Sequence, residues 1–213
     1  MWMSNKERFQ REYFEGGRKL DTKFLRFGKG IAKLIEELTH NPELKNDRNW
    51  VFDNLGLEID DPRTVEFFRD LVIYDTPEYK LEVEVCGVPT LGYIDTYDSK
   101  NNIFRDDKTG KHPWNQAKVQ KHDQLPFYAM QLKHKIGKMP EKCYIDWIET
   151  KEDEEHEVQD FWRDHQKKIN ITGRIVSFER EFDEREIERM ENLLVKCAEE
   201  ISEAYTKFLN QLL

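Results

Sequence analysis

The chain predicts an α/β fold with helices bracketing a central sheet, and three observations lead there. Apolar residues recur at helical spacing near both ends, and they alternate with polar ones at strand spacing in the middle. Thirteen Phe, eight Tyr and five Trp among 213 residues supply the apolar surface for a core, although 36% of the chain is charged. That length suits one domain over residues 1–213.

The elements follow in order. Phe9, Tyr13 and Phe14 share one side of a short helix that Gly16-Gly17 ends. Phe24, Phe27, Ile31, Leu34, Ile35 and Leu38 mark an amphipathic helix, with Asp21 or Thr22 as its cap and Asn41-Pro42 as its stop. Residues 41–62 are polar and turn-rich and read as loop, and a short helix is expected from Pro62 to Leu71. Leu81, Val83 and Val85 alternate with Glu82 and Glu84, a strand signal. Leu91–Tyr97 and Ile103–Lys108 read as two strands of a hairpin around the polar stretch Asp98–Asn102. Residues 114–135 return to a helical pattern, then Cys143–Ile148 and Ile171–Phe178 read as strands. The acidic run Lys151–Gln159 reads as a solvated turn or loop between them. A long helix is expected over Asp183–Leu212, with apolar positions 187, 190, 194, 197, 201, 204, 208 and 212. That heptad-like spacing suits packing along the sheet, with a coiled-coil seam to a partner as the alternative.

Composition excludes several classes. No stretch approaches the ~20 apolar residues of a membrane helix, and Met1–Glu7 lacks the apolar core of a signal peptide. Cys86, Cys143 and Cys197 are far apart, which excludes a disulfide framework, a zinc knuckle and a four-cysteine cluster. A reducing, cytoplasmic setting is expected. Gly28-Lys29-Gly30 is not a P-loop, and the histidines at 40, 112, 122, 134, 156 and 165 form no HExxH; they read as surface residues.

The hairpin carries the chemistry. Asp95, Asp106 and Lys108 are charged residues inside strands, and Asp106 and Lys108 share a face because they lie two apart. A two-residue loop at Lys100-Asn101 pairs residue 95 with 106, and one at Asn101-Asn102 pairs it with 108. Either register brings Asp95 to the same face. Two carboxylates about 5 Å apart repel unless a cation lies between them, and Mg²⁺ or Mn²⁺ takes such ligands. A polar hairpin in which Lys108 neutralises two solvated aspartates is the plainer reading of the spacing alone.

Gly92-Tyr93-Ile94-Asp95, Asp106-Asp107-Lys108-Thr109 and Gln124-Leu125-Pro126-Phe127-Tyr128-Ala129 together resemble the G-x-x-D, D-x-K-T and Q-L-x-x-Y-A blocks of the RecB and Cas4-like branch of the PD-(D/E)xK nucleases. The resemblance covers about residues 80–133 and extends more loosely to Phe9–Leu38. It implies a restriction-endonuclease-like fold with a mixed central sheet, its catalytic sheet and helix over 79–150, between a helical part (1–75) and a final strand and helix (171–213). It further implies metal ligation by Asp95, Asp106 and the carbonyl of Asp107, catalysis by Lys108, and Gln124 and Tyr128 contacting DNA or supporting the site. Pro126 must kink that helix or start a new one. Many members carry a histidine where this chain has Ala32; Glu82 is the candidate substitute ligand, with Glu84 behind it.

Residues 100–138 hold nine Lys or Arg against three acids, +6 within a chain of net charge −9, a basic lane suited to a polyanion. Trp114 and His112 at its start suit base stacking. The expected activity is Mg²⁺- or Mn²⁺-dependent hydrolysis of DNA, with the 5′-phosphate and 3′-hydroxyl products that the resemblance implies; an exonuclease of recombination or repair is the first expectation, with phage origin one option, and an endonuclease is the alternative. A homo-oligomer or recombination partner would dock through the C-terminal helix. The rival expectation is a non-catalytic DNA-binding or scaffolding module that kept the fold.

Overall fold

A computed structural model describes residues 5–17, 22–152 and 169–212. Helix α1 (Lys6–Tyr13) begins at Asn5, whose side chain caps the Arg8 amide. Helix α2 (Lys23–His40) starts from Thr22, whose hydroxyl accepts the Leu25 amide at 3.2 Å. It buries Ile31, Leu34, Ile35 and Leu38, each contributing roughly 1.5–3 kcal/mol.

Residues 41–62 are not all loop. A 3-10 turn (Pro42–Asn46) and helix α3 (Arg48–Leu55) occupy much of the stretch. Asp47 caps the amides of Asn49 and Trp50, Val51 and Leu55 are buried, and Gly56 closes the helix at φ 65°. The cap and C-terminal glycine thus overrule a composition that looks turn-rich. Helix α4 (Pro62–Asp70) follows, with Pro62 in its first turn and Asp61 as cap.

Strands β1 (Thr76–Val85), β2 (Val88–Asp98), β3 (Ile103–Gly110), β4 (Lys142–Glu152) and β5 (Ile169–Glu181) form one sheet in that order. All neighbours are antiparallel except β3 and β4, which are parallel, so the sheet is mixed. The parallel pair requires a crossover, and the crossover is helical in two pieces, α5 (Gln116–Gln120) and α6 (Gln124–Ile136). The helical pattern over 114–135 is thus split at residues 121–123, and the second of the two alternatives for Pro126, the start of a new helix, is the one observed. Pro126 sits in the first turn of α6, where its missing amide costs nothing. Helix α7 (Glu184–Gln211) starts from the Asp183 cap. Of the acidic run, Lys151 and Glu152 extend β4, and 153–159 lie outside the described residues.

Each face of the sheet carries its own core. On one, Leu81, Val85, Ile94, Phe104, Cys143 and Ile145 pack with Leu125, Met130 and Leu132 of α6 and with Ile187 and Met190 of α7. On the other, Ile148 and Ile171 pack with α2, α3 and Phe67 of α4. No helix among the described residues is long and apolar enough to cross a membrane. α7 packs its first half on this body, and Tyr205 and Phe208 near its end meet Phe14 just beyond α1.

Candidate active site

The site lies where the sheet forks. Strands β2 and β3 pair only over Thr96–Asp98 and Ile103–Arg105, whereas β3 stays with β4 as far as Gly110. The observed register, Thr96 opposite Arg105, is the one that sets residue 95 against 106. Pairing stops just before that point. The strict alternation of β2 also breaks there, since Ile94 and Tyr97 both enter the same core although three residues apart. The amide of Asp107, released from the ladder, instead donates to Asp95 Oδ2 at 2.6 Å.

Asp106 is only 1% exposed. Its Oδ2 has no hydrogen bond among the described residues and is ion-paired with the Lys108 ammonium. Burial and the nearby Asp106 carboxylate push the Asp95 carboxyl up to about 7, against the opposing pull of the Asp107 amide and Lys108. Asp107 also lies well above the usual carboxylate range, through burial first and Asp95 next. Three carboxylates therefore crowd between β2 and β3, with the Lys108 ammonium as the cation paired to them. These hard oxygen donors, held by one lysine and one backbone amide, fit a small divalent cation of the Mg²⁺ or Mn²⁺ type.

Helix α6 supplies the other wall. Lys108 Nζ donates to Gln124 Oε1 at 3.3 Å, and Gln124 Nε2 donates to the Tyr128 hydroxyl at 2.6 Å. Tyr128 packs edge-on against Phe104 and is largely buried, which raises its phenol pKa. Gly92 lets α6 come this close: a Cβ there would lie 2.6 Å from Gln131 Oε1 and 3.0 Å from Tyr128 Cε1. On the other side α2 approaches β3, where a Cβ on Gly28 would meet Thr109 Oγ1 at 3.3 Å. Ala32 and Glu36 continue that line at i, i+4 spacing.

The structure thus brings together Asp95, Asp106, Asp107, Lys108, Gln124 and Tyr128. It does not bring Glu82 or Glu84 to the fork. Glu82 is exposed, pairs with Lys80 and stands opposite Leu91, about 13 Å along β2 from Asp95. Glu84 is exposed and opposite Pro89, farther still. The carboxylate beside Asp95 is Glu78, whose neighbours Pro77 and Tyr79 pair with Thr96 and Ile94. Its φ of +46° breaks the strand pattern, and burial together with Glu36 raises its pKa.

His122 is a second residue the sequence did not single out. Its ring meets Trp114 edge-on at 5.1 Å, its Nδ1 is buried without a hydrogen bond among the described residues, and burial lowers its pKa while Asp106 opposes that shift. Arg180 holds it in place by donating to the carbonyls of Val119 and His122 at 3.0 and 2.8 Å.

The basic stretch is not one surface. Arg105 turns to the opposite face, buried against Asp146 and over the Tyr144 ring. Lys133 pairs with Glu184, and Lys135 binds the Lys80 carbonyl. Near α5, Lys118 stacks over Trp114 at 3.9 Å, and Lys111 and Lys121 are exposed.

A mixed sheet flanked by helices, with its carboxylates and lysine at the fork, has the restriction-endonuclease-like architecture. It resembles a phage-related exonuclease from Haemophilus somnus 129PT, with a TM-score of 0.51 and 13% identity over 99% of this chain and 83% of that one. An exonuclease provisionally described from Eubacterium rectale aligns at a TM-score of 0.48 and 10% identity, over 93% and 73% of the two chains. No protein-family model and no curated protein sequence matches the chain.

Proposed function

We propose that the chain is a Mg²⁺- or Mn²⁺-dependent deoxyribonuclease of the PD-(D/E)xK type, in its RecB and Cas4-like branch. The observation that carries this reading is the fork itself: a buried Asp106 and a half-buried Asp95 that repel each other, beside a lysine that is ion-paired to Asp106 and fixed by Gln124. Asp95, Asp106 and the Asp107 carbonyl would hold the ion, with Glu78 rather than Glu82 as the third carboxylate. When bound, such an ion polarises a phosphoryl oxygen and favours deprotonation of a water.

The residues of the chain do the rest. Asp106 and Gln124 hold the Lys108 ammonium at the mouth of the fork, where it orients the attacking water or balances charge developing on the phosphate. Tyr128 fixes Gln124, so the lysine is held by a chain of two hydrogen bonds. Lys111, Lys118 and Lys121 track the phosphates, and Trp114 backs Lys118. The fold shared with a phage-related exonuclease supports attack at DNA ends, and we assign the chain to phage recombination or repair.

The test is end-labelled linear DNA and circular DNA, single- and double-stranded, with Mg²⁺, Mn²⁺ or EDTA. Linear DNA should be degraded with either metal, circles spared, and EDTA should stop the reaction. Normal DNA binding with no cleavage under any metal would refute the reading and point to a scaffold.

A further inference from the structure

The β1–β2 hairpin turns over two residues, Cys86 and Gly87, between the paired Val85 and Val88. Their φ values are +50° and +80°, the backbone of a type I′ turn. Asn, Asp and Gly take the first of these positions most cheaply, and a cysteine there costs roughly 1 kcal/mol. This cysteine is at the surface but in company. Its Sγ, a ring nitrogen of His134 and a carboxylate oxygen of Glu191 all lie within 4.8 Å of one another. Three elements, the hairpin tip, α6 and α7, thus deliver one side chain each to a common point.

His134 Nε2 lies 2.8 Å from Glu191 Oε1. The neighbouring cations are turned elsewhere, Lys133 to Glu184 and Lys135 to the Lys80 carbonyl. We propose that Cys86, His134 and Glu191 form a zinc site that pins the hairpin tip to the helical layer. Thiolate, imidazole and carboxylate together are a Zn²⁺ donor set, whereas Mg²⁺ takes oxygen alone. Tetrahedral zinc with bonds of about 2.0–2.3 Å places its ligands roughly 3.3–3.8 Å apart, so side-chain rotations of about 1 Å close the present arrangement. The ion takes the place of the proton shared by His134 and Glu191, the Cys86 thiol gives its proton to solvent, and water fills the fourth position. No oxidation is involved. The site shares no residue with the fork: seven residue steps along β2, roughly 23 Å of strand, separate Val88 from Asp95.

The test uses the full chain carrying Asp106→Asn, so that the fork contributes little metal binding, after chelation to remove metal. Co²⁺ should bind with a thiolate-to-metal charge-transfer absorption, which a carboxylate centre cannot give, and one equivalent of Zn²⁺ should abolish it. Zn²⁺ at a hundredfold excess over its dissociation constant should raise the Tm by roughly 5 °C or more. Cys86→Asn suits the turn and should fold at least as well, yet lose both the absorption and the zinc-induced rise; His134→Ala should lose them too. A cobalt spectrum without the thiolate band, or a zinc-induced rise that survives Cys86→Asn, would overturn the site. Neither readout involves DNA, so this outcome is independent of the nuclease reading.

Discussion

Asp95→Asn should make the protein more stable and inactive at once. The Asp95 carboxyl is pushed up to about 7 in the fold, from 3.8 in a free chain, by burial and by Asp106. A carboxyl raised in this way costs no stability below its unfolded value. It destabilises the fold progressively as pH rises from about 4 to 7, and by a constant amount above that. At about 1.4 kcal/mol for each tenfold change, the full cost is at most about 4 kcal/mol, and relaxation around the fork should leave roughly 1–3 kcal/mol. Asparagine keeps an oxygen for the Asp107 amide and carries no charge. Its Tm in EDTA at pH 8 should exceed wild type by roughly 3–10 °C, and the difference should shrink to near zero at pH 4. Mg²⁺ should raise the wild-type Tm more than that of the variant. A variant less stable than wild type at pH 8, or a difference that ignores pH, would show that the Asp95 charge does not strain the fork.

Gly92→Ala should destabilise the fold by about 1–3 kcal/mol in urea unfolding, because its methyl group meets Gln131 and Tyr128; an unchanged midpoint would mean that α6 gives way freely. Glu78→Gln should weaken the metal response of cleavage while Glu82→Gln leaves it intact, as a Mg²⁺ titration of activity would show, and equal effects would return Glu78 to a passive rim residue. Neutralising Lys118 and Lys121 together should lower DNA affinity for all sequences. It should also flatten the log–log salt dependence by roughly one unit for each phosphate left without its lysine, with the cleavage rate recovering at saturating DNA.

Helices α2 and α7 were legible because their apolar residues repeat at 3.6-residue spacing with polar caps at their starts. The hairpin was legible to within its register, which alternation alone leaves open between two pairings. What escaped was tertiary. α3 hides in a polar segment because its identity rests on the Asp47 cap and on burial of Val51 and Leu55. Glu82 and Glu84 looked like ligand candidates because they share a face of β1. The sheet forks at Asp95, however, and the carboxylate brought there is Glu78, at a backbone kink that periodicity cannot show. The basic stretch 100–138 reads as one lane in one dimension, yet a strand sends Arg105 to one face and Lys108 to the other. His122 had no motif; only its place between α5 and α6, under the fork, distinguishes it.

Asp106 and Lys108 are proposed to perform chemistry rather than hold the sheet or bind DNA. Single-turnover cleavage of saturating linear DNA by Asp106→Ala and Lys108→Ala tests this role most directly. Rates should fall at least ~100-fold below wild type, with unchanged circular dichroism and DNA affinity retained. Rates near wild type in both variants, or losses confined to affinity, would contradict it.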